Sequence, residues 1–144
     1  MKSKIRMGLF LFILGMFTIN AQSYKMHSHN DYEQEVPFWK AFSVGVSSVE
    51  ADVFLIDGQL MVAHEKEHIL QERTLERLYR DPLKESLELG LMFDRTLQVL
   101  IDVKSDATTS LDAIVQTLED YQSITGNEKI SFVISGNSPK PAIY

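Results

Sequence analysis

The 144-residue chain has no cysteine, so it can build neither a disulfide framework nor a thiolate metal site. Positive charge is scarce too: 14 Lys+Arg face 20 Asp+Glu, a formal net of −6. That balance argues against a broad basic face for nucleic acid or an anionic membrane. It points instead to a small molecule drawn into a local site. No apolar run is long enough to cross a bilayer. The stretch Met7 to Phe17 has 11 residues, against the roughly 20 that a spanning helix needs. There are no internal repeats and no low-complexity linkers. What is present, 44% hydrophobic and 24% charged residues, is the composition of one ordinary globular domain.

The first 21 residues read as a leader. Lys2, Lys4 and Arg6 precede the apolar run, and Ala21 offers a small residue at a cut position, the order of a secretory signal peptide. The mature part would then be residues 22–144, and losing three positive charges takes its net charge from −6 to −9. On this reading the protein is exported, to a periplasmic or extracellular location, without a stable membrane anchor.

The remainder alternates strands and helices. Strands are expected at Tyr24 to His29, Ser48 to Ile56, Gln59 to Ala63, Gln98 to Val103 and Ile130 to Ser135, with Asp57-Gly58 as a hairpin turn. A short helix is expected over Pro37 to Val44. Thr74 can cap another, Asp81-Pro82 restarts one, and Gly90 ends it. Leu111, Ile114, Val115, Leu118 and Tyr121 share one helical face, with Thr109 and Asp112 as its N-terminal signal. Such alternation predicts an α/β fold with a parallel sheet.

Strand parity is where function first shows. Val49, Ala51 and Val53 share one face of their strand, while Ser48, Glu50 and Asp52 share the other. In the same way Asp102 and Lys104 lie opposite Val99, Ile101 and Val103. Strands of a parallel sheet are usually apolar on both faces, and a buried carboxylate is costly unless it is paired or binds a metal. A plain Asp102–Lys104 ion pair would account for one strand; the same device on two strands favours a site. Active sites of parallel α/β folds lie at the C-terminal ends of strands. His27 and His29 close the first strand, and His64 follows the hairpin. Paired imidazoles beside carboxylates suit phosphate-ester cleavage: one accepts the nucleophile's proton, the other protonates the departing oxygen. A hard divalent cation held by carboxylates would neutralise the phosphate, and Lys104 could contact a phosphate oxygen.

The stretch His29-Asn30, Ala41-Phe42, Gly45 and Ser48-Val-Glu-Ala-Asp-Val through Asp57-Gly58 to His64 resembles the glycerophosphodiester phosphodiesterases. Phosphatidylinositol-specific phospholipase C belongs to the same wider group. The opening His29-Asn30-Asp31-Tyr32 is similar to a branch that includes proteins named for altered inheritance of mitochondria. The resemblance spans His27 to Lys104. It departs from the family pattern at Asn30, where an arginine is usual, and at Glu65, where an aspartate is usual. It implies a (β/α)8 TIM barrel, with His29 and His64 as catalytic acid–base residues. Glu50, Asp52 and Asp102 would be ligands of one Ca²⁺ or Mg²⁺, and Lys104 and Asn30 phosphate contacts. The substrate would be a glycerophosphodiester- or phosphoinositide-like small molecule.

A TIM barrel takes about 250 residues, and only four barrel strands are legible here. Residues 22–144 are therefore expected to be the N-terminal half of such a barrel, with open edges prone to self-association. Two alternatives remain. His27-x-His29 could serve an amidohydrolase or histidinol-phosphatase-type metal site, or the chain could be an inactive binding protein.

Overall fold

Alternation of valine with polar residues makes Ser48–Ile56 the longest strand of the structure, a computed structural model that describes residues 24–119 and 121–138. In chain order the strands are β1 (His27–Ser28), β2 (Ser48–Ile56), β3 (Gln59–Val62), β4 (Leu97–Val103) and β5 (Ile130–Gly136). β1, β2, β4 and β5 run parallel in that spatial order. β3 pairs antiparallel with the end of β2, on the edge whose beginning pairs with β1. Asp57 (φ 49°) and Gly58 (φ 80°) both have positive φ, the requirement of a tight two-residue hairpin. The described sheet is open.

Several expected boundaries change, most of all at the first strand and the first helix. The first strand shortens from Tyr24–His29 to two residues, because only His27 and Ser28 find partners on β2, and Tyr24 is exposed. The first helix is trimmed to α1 (Trp39–Ser43), since Phe38, at φ 61°, cannot be helical. The carboxylate of Asp31 holds that strained residue, accepting from Phe38 N at 2.7 Å, while the Phe38 ring is fully buried.

Thr74 does act as a cap, its Oγ1 accepting from Arg77 N at 3.3 Å. A π-helical turn, Glu76–Arg80, then runs into α2 (Asp81–Glu88), and Gly90 follows at φ 69°. The long helix α3 (Ala107–Glu119) starts earlier than expected. Asp106 caps it, accepting from Thr109 N at 3.0 Å and Thr109 Oγ1 at 2.8 Å. Its buried stripe is Ser110, Ile114 and Leu118, while Val115 is turned outward. A short α4 (Gln122–Thr125) leads to β5.

The core forms where the apolar parity of the strands meets these helices. Val49, Ala51 and Val53 of β2 and Val99, Ile101 and Val103 of β4 are all buried. Each such valine or isoleucine contributes about 1.5–3 kcal/mol relative to an exposed one, which pins the register of the two strands. With one face sealed, Glu50, Asp52 and Asp102 are committed to the other. Among the described residues, no helix is long and apolar enough to cross a membrane.

Candidate active site

Parallel register sets Asp52 directly beside Asp102, and Asp102 beside Ser135. Glu50 lies two residues earlier on the same face of β2. One carboxylate oxygen from each of Glu50, Asp52 and Asp102 falls within 4.8 Å of the others. The structure thus brings together the three acidic residues expected to bind a cation.

Asp52 is the hub, with only 1% of its surface exposed. Its Oδ2 accepts from Tyr32 Oη at 3.0 Å and lies 3.0 Å from His64 Nδ1 and 3.2 Å from Lys104 Nζ. Its Oδ1 is buried with no hydrogen-bond partner. A buried carboxylate oxygen with nothing to accept from is expensive, and a cation would satisfy it. Asp102 spends one oxygen on Ser135 Oγ at 2.7 Å and the other on Lys104 Nζ. Burial works against the charge on Asp102. The Lys104 ammonium and the Ser135 hydroxyl outweigh that and hold its pKa below the ordinary carboxylate value. Burial likewise opposes the charge on Lys104, but its bonds to Asp102 and Asp52 win and raise its pKa. Three carboxylates against one ammonium leave two negative charges, which a divalent cation balances. An all-oxygen donor set suits a hard cation.

The histidines flank this cluster. His64, half exposed, has Nδ1 turned to Asp52. His29 Nε2 lies 3.7 Å from Glu50 Oε2, with most of its side chain in solvent. His27 is engaged at both ring nitrogens, Nδ1 at 3.1 Å from Ser48 Oγ and Nε2 at 3.1 Å from Glu50 Oε2. In the His27-x-His29 alternative, His27 would have to exchange one of these contacts for the metal. Asn30 sits in the left-handed region (φ 47°), which asparagine tolerates, at the turn out of β1.

Three residues of the site escaped sequence reasoning. Tyr32 donates to Asp52, and burial together with the neighbouring Asp52 charge keeps its phenol protonated far above the usual range. Asp31 is fully buried and accepts from Ser28 Oγ at 2.8 Å, Phe38 N at 2.7 Å and Tyr79 Oη at 3.2 Å, which fixes the turn that carries Tyr32. Gly136, at φ 70°, lies so close that an added Cβ would stand 2.7 Å from Asp102 Oδ1. The Asn-Asp-Tyr run after His29 was the available signal for the first two.

The sequence matches the family model described as "AIM6-like phosphodiesterase domain" over residues 16–90. The chain belongs to that family. The match includes His29, Glu50, Asp52 and His64 and stops before Asp102 and Lys104. Among curated proteins, the chain is similar to the altered inheritance of mitochondria protein 6 homolog of Arthroderma benhamiae. The two are 37% identical over 117 residues, 65% of this chain and 37% of that protein. The protein 6 of Kluyveromyces lactis is 30% identical over 158 residues, covering 79% of this chain and 38% of that one. The Saccharomyces cerevisiae protein is 42% identical over 65 residues, 44% of this chain and 17% of its own length. This chain therefore spans well under half the length of these relatives. No solved structure matches it.

The relatives correct one expectation. Fungal proteins named for the inheritance of mitochondria, an organelle within the cell, do not accord with export, so a periplasmic or extracellular location is withdrawn. The leader read at residues 1–21 lies outside the described residues.

Proposed function

We propose that this chain carries the cation-binding and acid–base residues of a divalent-metal-dependent phosphodiester hydrolase. Its substrate would be a glycerophosphodiester- or phosphoinositide-like small molecule. The observation that carries this reading is the Glu50–Asp52–Asp102 cluster, in which Asp52 Oδ1 has no partner, with His29 beside Glu50 and His64 beside Asp52. Ca²⁺ or Mg²⁺ held there would supply positive charge to the phosphate oxygens. His29, open to solvent beside Glu50, is the general base that takes a proton from a water or a neighbouring substrate hydroxyl as its oxygen bonds to phosphorus. His64 gives its proton to the departing oxygen as the second P–O bond breaks, and Asp52 holds the ring in place through Nδ1. Lys104 and Asn30 are proposed phosphate contacts. Placement within the glycerophosphodiesterase-like branch rests on the Glu50-x-Asp52-Val53 run, the Asp57-Gly58 turn and His64 at their spacing. The TIM-barrel proposal rests on the parallel order β1-β2-β4-β5.

The test is Asp52→Asn in the full-length protein. Calorimetric titration with Ca²⁺ and Mg²⁺ should show affinity weakened about 10-fold or more, with hydrolysis of glycerophosphocholine or bis(p-nitrophenyl) phosphate lost in parallel. Unchanged titrations would remove the ligand assignment. Wild-type hydrolysis that ignores chelators would remove the metal dependence.

A further inference from the structure

Beyond β3 the chain leaves the sheet at Ala63 and returns at Arg73, where Val62 N donates to Arg73 O at 2.7 Å and Met61 bridges Thr74. The excursion borders a solvent-open cavity of about 320 Å³ lined by Tyr32, Glu33, His64, His68, Leu70 and Arg73, at the small end of ligand-sized pockets. His64 spends Nδ1 on Asp52, so the nitrogen left to serve a substrate is Nε2. Arg73 is half-buried and donates to the backbone carbonyl of Tyr32. No carboxylate among the described residues lies within ion-pair distance of it. A guanidinium has five N–H donors in a planar fork that fits a carboxylate or a phosphate, so most of that capacity is free. His68, 3.7 Å from Glu65 Oε2, lies on the same wall, and Glu33 and Glu65 are both exposed, where water screens them.

We infer that this cavity is a leaving-group subsite, selective for an alcohol that bears its own anionic group, with Arg73 as the residue that reads that group. The inference rests on the general-acid role of His64. Charge sorts the two ends of the substrate. The cation-neutralised cluster beside Asp52 is taken up by the scissile phosphate, and the Arg73 guanidinium attracts a second anion, which favours the direction that puts the anionic alcohol in this cavity.

Two phosphodiesters that share one ester half and differ in the leaving alcohol, glycerate or glycerol, test this on the full-length protein with its metal. The glycerate ester should be favoured about 10-fold or more in kcat/KM. Arg73→Gln should bring the glycerate-over-glycerol ratio in kcat/KM to about one, whatever its effect on the glycerol ester itself, while Arg73→Lys keeps part of the preference. No preference in the wild type, or an equal preference in Arg73→Gln, overturns the inference. A second readout needs no turnover: the His64 and His68 ring resonances, titrated with glycerate, inorganic phosphate or glycerol in the presence of a chelator. Glycerate or phosphate should shift them saturably and glycerol should not, and the stronger of the two anions tells carboxylate from phosphate. Silence toward both anions overturns the subsite. Anion binding without hydrolysis of either ester keeps the subsite and discards the phosphodiesterase reading instead.

Discussion

Tyr32→Phe removes a single hydroxyl and keeps the ring, so it isolates what that group does for Asp52. The carboxylate is almost fully buried, and its Oδ2 receives Tyr32 Oη at 3.0 Å, His64 Nδ1 at 3.0 Å and Lys104 Nζ at 3.2 Å. A hydrogen bond to a charged acceptor is worth about 1.5–3 kcal/mol, and two donors remain, so the lower end applies. The expected loss is therefore about 1.5 kcal/mol, roughly a tenfold rise in the unfolding constant, or about 3–6 °C in Tm for a domain of this size. Urea denaturation with a chelator present should show a lower midpoint at unchanged slope. The chelator matters, because a cation on the same carboxylate would mask the loss. A variant as stable as the wild type, or more so, would refute the view that Asp52 depends on donors from this loop.

Other consequences follow from the same geometry. His29→Ala and His64→Ala should each lower turnover by about 10²–10⁴-fold, with calorimetric metal affinity nearly unchanged; near-wild-type rates in both would end the acid–base assignment. Alkaline pH should destabilise the fold. Burial first, then Asp31 beside Tyr79 and Asp52 beside Tyr32, keep these phenols protonated well above the usual value. The unfolded chain releases those protons near pH 10, so the stability is full below about pH 10 and falls as pH rises beyond it. Urea midpoints at rising pH, read beside phenolate absorbance, check this, and every tyrosine ionising together near pH 10 in the folded protein would contradict it. The 144-residue chain expressed alone should self-associate through the outer edge of β5, which has no partner strand among the described residues. Sedimentation at tens of micromolar would detect this, and a clean monomer would count against it.

Strand parity is local: the side-chain direction of a strand repeats every two residues, whatever lies beside it. Glu50 and Asp52 could therefore be assigned to one face, opposite Val49, Ala51 and Val53, from the amino-acid order alone. The same holds for Asp102 opposite Val99, Ile101 and Val103, and for the turn at Asp57-Gly58, whose two positive φ angles need those residue types. Other features depended on partners distant in the chain. The register that sets Asp52 beside Asp102 and Asp102 beside Ser135 comes from burying two apolar rows against the same helices. Tyr32 and Asp31 carry no periodic signal, and their roles exist only because a turn closes over β2 and Phe38 takes a strained conformation against it. At α3, Asp106 and Thr109 compete as caps, and Val115 and Ser110 compete for the buried stripe. Helical spacing leaves both choices open by a fraction of a turn. Packing against the sheet decides them: the rotation the helix takes buries Ser110 with Ile114 and Leu118 and turns Val115 to solvent.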